Sequence, residues 1–254
     1  MEPIRGVFTA FRTLSILPLP GKDAGHFASS LYSFTLVGVV LGALLCGFVM
    51  GMFQLLGNQW PELLALGVVA GGVMLTRGLH LDGLADFADG FWGAYSREKT
   101  LSIMKDTTLG AFGVIALILI LLSKWIALVR LLELGGVFWI ITAYTISRLA
   151  MVELIVIFPY ARLEGTARPF VEDAGQRHRL VNLLTGLIVV YLMNRWAGIG
   201  ALLIGLGLIR LFGFWCLKRV GGITGDLLGA CSEMIETVIL TGAVIYLLLI
   251  TIYF

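Results

Sequence analysis

The chain has 254 residues, of which 59% are hydrophobic and only 13% charged, with a mean hydropathy of +0.96. A soluble domain carries roughly twice that share of charge, so the composition excludes a soluble fold and makes a bilayer the natural solvent. The net charge of +2 leaves no footprint for a nucleic acid, and the length suits one membrane domain, 1–254, without a separate soluble one.

Residues 1–33 open with Pro3, Arg5, Arg12 and Pro18 among scattered apolar residues. That pattern reads as an N-terminal interfacial segment on the membrane surface and not as an export signal. A crossing needs roughly 17–25 mostly apolar residues. Runs at 34–56, 61–79, 109–131, 136–158, 180–194, 197–217 and 235–254 qualify. The run 180–194 is short, so it is tilted, re-entrant or set in a thinned bilayer. The expected fold is therefore all-α: a polytopic integral membrane helical bundle of about seven crossings, within a range of six to eight. The 32 glycines allow its helices to approach closely. Cys46, Cys216 and Cys231 are odd in number and fit no disulfide or metal spacing, so they read as packing residues.

Seven crossings put 1–33, 80–108, 159–179 and 218–234 on one side. That side holds Arg5, Arg12, Lys22, Arg97, Lys99, Lys105, Arg162, Arg168, Arg177, Arg179, Lys218 and Arg219, with Arg77 beside it. Only Arg130 and Arg195 lie near the short turns opposite. The positive-inside rule makes the basic side cytoplasmic.

The segment His80-Leu81-Asp82-Gly83-Leu84-Ala85-Asp86-Phe87-Ala88-Asp89-Gly90 follows a crossing directly. On a helix, Asp82, Asp86 and Asp89 fall at i, i+4 and i+7, on one face. Like charges at that spacing repel, so helix stability gives no reason for them, whereas a divalent cation does. Mg²⁺ takes hard oxygen ligands, usually a few carboxylates completed by substrate phosphates and water. Asp106, opening the next crossing, is placed to join them from a facing helix. A solvated acidic loop and an ion-coupled transporter site are the competing explanations.

Two further polar loops flank this region. Pro159–Pro169 carries Arg162 and Arg168, whose guanidinium groups suit phosphate or simply anchor the loop at the lipid surface. Gly221–Gly229 contains Thr224 and Asp226, with glycines that can present backbone N–H groups to an anion; Glu233 and Glu236 follow. Arg148, Glu153 and Arg210 lie inside predicted crossings and call for partners on other helices or a polar vestibule. Lys124 is deeper, where snorkelling toward the interface would accommodate it.

Taken together, Gly78-Leu79-His80-Leu81-Asp82-Gly83-Leu84-Ala85-Asp86 with Asp89-Gly90, Met104-Lys105-Asp106 with Leu109-Gly110, Tyr160-Ala161-Arg162, and Gly221-Gly222 with Thr224-Gly225-Asp226 and Gly229 closely resemble the signature of the cobalamin synthase family, the adenosylcobinamide-GDP ribazoletransferases. The matches run in the family's order over nearly the whole chain. The resemblance implies Mg²⁺-dependent transfer of phosphocobinamide from adenosylcobinamide-GDP to α-ribazole or its 5′-phosphate, with release of GMP. The carboxylate face and the arginine loops then suggest Asp82, Asp86, Asp89 and Asp106 as metal ligands, with Asp89 or Asp106 accepting a proton. His80, Lys105, Arg148, Arg162, Arg168, Thr224 and Asp226 are the expected substrate-binding residues. The expected setting is a bacterial or archaeal inner membrane with a cytoplasmic active site, as a homo-oligomer or in association with other cobalamin-assembly enzymes. Two rivals remain at this stage. A CDP-alcohol phosphotransferase acting on lipid would share the metal logic, but its Ala-Arg dipeptide is replaced here by Ala85-Asp86. A secondary transporter would place charges at the midplane with access from both sides.

Overall fold

The computed structural model of the protein describes residues 2–253 apart from Pro18 and Asn58. The elements are α1 (Glu2–Leu14), a 3₁₀ turn (Phe27–Ser33), α2 (Phe34–Leu56), α3 (Pro61–Thr76), α4 (Leu79–Gly93), α5 (Arg97–Ile103), α6 (Ala111–Glu133), α7 (Trp139–Ile157), α8 (Arg168–Val171), α9 (Gln176–Val220) and α10 (Gly225–Tyr253). Among the described residues there is no strand, only a single bridge between Tyr160 and Ile223. The all-α bundle expected from composition is the fold observed.

By length and composition, α2, α6, α7, α9 and α10 can each cross a membrane, and the bent pair α3–α4 makes a sixth candidate. The 45-residue α9 is not one rod. Asn194 (φ −135°, ψ 17°) and Arg195 (φ 53°, ψ −137°) leave the helical region. Beyond them the chain doubles back so closely that a side chain on Gly198 would strike the carbonyl oxygen of Val190. Residues eight apart on a straight helix stand about 12 Å apart, so α9 is a hairpin of two antiparallel legs. These legs correspond to the expected runs 180–194 and 197–217. With α3 as a crossing, the seven expected runs all find a helical counterpart. The last begins ten residues earlier than expected, at Gly225.

Helix α7 is the axis of the bundle: every residue from Trp139 to Ile155 is buried, with α2, α9 and α10 packed around it. Helix α1 is amphipathic and lies at the end of α3, as an interfacial helix should. There the Ile16 N–H donates to the Leu75 carbonyl at 2.7 Å, and Arg77 Nη2 donates to the carbonyls of Arg12 and Ser15.

The turn from α3 to α4 sets up everything that follows. Arg77 (φ 55°) and Gly78 (φ 67°) adopt left-handed conformations, ending α3, and the chain bends by 89° into α4. We therefore count α3 as the crossing of this pair, while α4 packs along α6 and α10 and leads toward the polar loops.

Candidate active site

Three segments converge where α4 meets the start of α10. The first link is between loops. The Ile223 N–H donates to the Pro159 carbonyl at 2.9 Å and the Ala161 N–H to the Ile223 carbonyl at 2.8 Å. This short parallel bridge sets Arg162 beside Asp226, and Arg162 Nη1 lies 2.9 Å from Asp226 Oδ2. The second link is between helices. Gly83 lies so close to α10 that a Cβ there would come within 2.6 Å of the Asp226 carbonyl oxygen, so the glycine of the Asp-Gly pair is a requirement of packing. Two arginines then pin the ends. Arg97 donates to the carbonyls of Val220 (2.7 Å) and Ala161 (3.1 Å). Arg219 donates to the carbonyls of Phe91, Ala94 and Tyr95. Sequence reasoning had counted both only toward membrane orientation.

The result is an acidic pocket. Asp82, one turn before Asp86 on α4, and Asp226 on α10 both act electrostatically on Asp86, against the single opposing charge of Arg162. Burial first, and then Asp226 and Asp82, push the Asp86 carboxyl up to about 7. Asp82 and Asp226 also line a cavity of about 290 Å³ bounded by α1, α2, α4, α7 and α10. A second, more open cleft of about 710 Å³ reaches Asp82 from the α6 side. Arg162 Nη2 is buried without a hydrogen-bond partner, which leaves a guanidinium donor for an anion.

The other expected site residues are placed as follows. Asp89 turns away: its two carboxylate oxygens accept the N–H groups of Gly110 and Gly113, each at 2.8 Å. It caps the start of α6, where a negative charge complements the helix dipole. Asp106 is in an exposed turn, where the Thr108 N–H, at 2.9 Å, holds its carboxyl below the usual carboxylate range. Lys105 is exposed beside it. Thr224 caps α10 by accepting the Leu227 N–H at 3.3 Å, and its hydroxyl donates to Asp226 at the same distance. Arg168 pairs with Glu172 on the surface.

Arg148 is buried in the bundle core instead of facing the pocket. It binds Glu236 at 2.9 Å and lies over the Tyr144 ring. Lys124 does not snorkel: its Nζ is 2.6 Å from both Glu233 and Glu236. Glu153 pairs with Arg179 at 2.7 Å and stands 3.8 Å from Arg210, so its partners are on α9, as its place in a crossing required. The Lys124–Glu233–Glu236–Arg148 cluster went unassembled in the sequence. Its signal was Glu233 and Glu236 at i and i+3 in an apolar helix with a lysine in another crossing, since intramembrane charges rarely stand alone.

The comparisons with known proteins agree over the full length. The model of the family described as cobalamin-5-phosphate synthase matches residues 6–244. The chain is 45% identical over 249 residues to an adenosylcobinamide-GDP ribazoletransferase of Chlorobaculum parvum, covering 96% of each chain. It is 46% identical over 243 residues to that of Chlorobium phaeobacteroides, with 93% and 96% covered. A more distant relative of the same name, from Syntrophobacter fumaroxidans, is 38% identical over 242 residues, with 94% and 96% covered. No solved structure matches the chain.

Proposed function

The chain belongs to the cobalamin-5-phosphate synthase family, and from that premise we propose how the pocket between α4 and α10 carries out the transfer of its adenosylcobinamide-GDP ribazoletransferase relatives. The observation that carries the proposal is the meeting of Asp82, Asp86 and Asp226 with Arg162 beside two cavities, one for each of two substrates. Neither rival reading has such support. The relatives' names point to a ribazole acceptor instead of a lipid alcohol or a transported ion.

A magnesium ion suits this donor set. Among the described residues no three carboxylate, histidine or cysteine side chains form a ready-made metal cage. Mg²⁺ does not need one: it commonly binds one or two carboxylates and completes its shell with substrate phosphates and water. Asp82 and Asp226 would hold it, leaving Asp86 free. When bound, the ion supplies positive charge against the diphosphate of adenosylcobinamide-GDP.

The chain's own residues do the rest. Arg162, fixed by Asp226 at Nη1 and unpartnered at Nη2, holds a phosphoryl oxygen and stabilises charge as it builds. Asp86, poised near neutrality, is the proton acceptor. The ribazole 3′-hydroxyl oxygen forms a bond to the phosphorus on the cobinamide side, and its proton passes to Asp86. The bond from that phosphorus to the bridging oxygen breaks, and GMP leaves with the electron pair. Asp89 and Asp106, the expected acceptors, are occupied respectively in capping α6 and in the Thr108 turn. We place this face in the cytoplasm of a cell inner membrane, because the basic residues gather on it.

The test is direct. Purified protein is incubated with adenosylcobinamide-GDP, α-ribazole and Mg²⁺, and the joined corrinoid and GMP are followed by mass spectrometry. Release of GMP in step with the joined product is expected. Product formation at the full rate by both Asp82→Asn and Asp86→Asn would sink the assignment.

A further inference from the structure

A groove of about 520 Å³ lies between the second leg of α9 and α10, and it shares no residue with either cavity at the carboxylates. Leu208, Leu211 and Trp215 line it from α9, and Met234, Ile235 and Val238 from α10. Trp215 stands edge-on to Phe87 and Phe91 of α4, with ring centroids 5.5 and 5.1 Å away, so this wall is fixed before any ligand arrives. Leu211, Trp215 and Val238 are exposed. Both helices are long and apolar enough to cross a membrane, so the groove opens to lipid.

Lys218, in the last turn of α9, is the one charged residue of the lining, and it is exposed. Among the described residues its ammonium has no ion pair and no hydrogen bond. The neighbouring Arg219 is occupied by the carbonyls of Phe91, Ala94 and Tyr95. Trp215 lies one turn further into the bilayer, with the Trp92 ring 5.8 Å from it. Tryptophans mark the boundary between hydrocarbon and headgroups, which puts Lys218 at headgroup level. From there to Leu208 is about 15 Å along the helix, half of a hydrocarbon core of roughly 30 Å and so the depth of one leaflet. A nucleotide or a sugar would find no partner for its polar edge on these walls. A slot one leaflet deep with a free cation at its mouth is complementary to a long apolar chain with a negative head. We infer that this groove seats one acyl chain of an anionic phospholipid from the leaflet on the active-site side, with the phosphodiester at Lys218. The inference rests on α9 and α10 crossing the bilayer and is independent of the reaction.

The experiment titrates the full-length protein in detergent with dioleoylphosphatidylglycerol and with dioleoylphosphatidylcholine, and counts bound lipid by native mass spectrometry. The two lipids share their chains and phosphate and differ in net charge. Phosphatidylglycerol should be retained about fivefold more tightly, the worth of one lysine beside an anionic lipid. Lys218→Gln should abolish that preference and leave phosphatidylcholine binding unchanged. Equal retention of the two lipids by the unsubstituted protein overturns the inference, as does a Lys218→Gln protein that keeps the preference. The seat itself is mapped with phosphatidylglycerol carrying a photoreactive diazirine on one acyl chain. Adducts should concentrate in 208–218 and 231–238. Adducts spread evenly over α2 and α6 as well would make the bound molecules ordinary boundary lipid and overturn the site. A lipid-free dimer in the native spectrum would assign the groove to a second copy of the chain and overturn it too.

Discussion

Asp82, Asp86 and Asp89 look equivalent in the sequence, yet the structure gives them three different surroundings. Asp82 is exposed at the mouth of two cavities, so Asp82→Asn should raise the Mg²⁺ concentration needed for half-maximal rate and lower kcat by roughly 10²–10⁴-fold, the scale of losing a group that stabilises the transition state. Unchanged Mg²⁺ dependence in a steady-state titration would remove Asp82 from the metal. Asp86 carries the pH dependence. With its carboxyl raised to about 7, it is protonated in acid and cannot accept a proton there. The rate should therefore fall as pH drops below about 7, with the limb shifted lower when the cation is bound. The stability sign is opposite. The neutral acid favours the folded state at low pH, and that advantage is lost as pH rises through about 7. Without Mg²⁺, the melting temperature should decline between pH 5 and 8, and Asp86→Asn should flatten that decline. Asp89 behaves as neither. Asp89→Ala removes two charge-assisted bonds to the N-terminus of α6 and should destabilise by about 1–3 kcal/mol, read as a lower denaturation midpoint. Full stability with lost activity would instead return Asp89 to the chemistry.

At the scale of elements, the pocket depends on how near α4 comes to α10. Gly83→Ala places a Cβ against the Asp226 backbone and should separate the helices, so activity should fall at least tenfold although every carboxylate is retained. A variant that keeps normal kcat would show that the two helices tolerate separation. The helical spacing of the aspartates was legible in the sequence because periodicity is local: it put Asp82 and Asp86 on one face. It could not show that the third turn of that face meets the N-terminus of α6, because the N–H groups of Gly110 and Gly113 that capture Asp89 belong to a segment whose direction only the tertiary fold sets. The span limits were legible for the same local reason. Phe34–Leu56 was read to the residue, since apolar length alone decides it. α10 was read late because its first turns, Gly225 to Met234, are polar enough to pass for a loop. They are helical because Thr224 caps them and because Glu233 finds Lys124.

The core of the molecule balances a cluster of buried charges across three helices. Lys124 on α6 and Arg148 on α7 face Glu233 and Glu236 on α10, two positive against two negative, with Tyr144 and His80 beside them. Lys124→Met would leave a carboxylate uncompensated in the core and should cost about 3–5 kcal/mol, and a second change, Glu233→Gln, should recover part of the loss. Helix α9 poses the larger question, because two legs joined at Asn194-Arg195 cross the membrane only if that turn reaches the far face. Asn194 Nδ2 donates to Thr142 at the start of α7, at 2.8 Å. Asn182 joins the start of α2 through the Thr35 N–H, at 3.0 Å. The first leg thus runs from the start of α2 to the start of α7. In a topology assay, Tyr95→Cys and Glu164→Cys should react with a membrane-impermeant thiol reagent only when the cytoplasmic face is open, while Trp196→Cys should react from outside the intact cell. The native cysteines are buried and should stay silent. Labelling of position 196 from the cytoplasmic side would make α9 a re-entrant hairpin and remove two crossings, with α10 still starting from the same face.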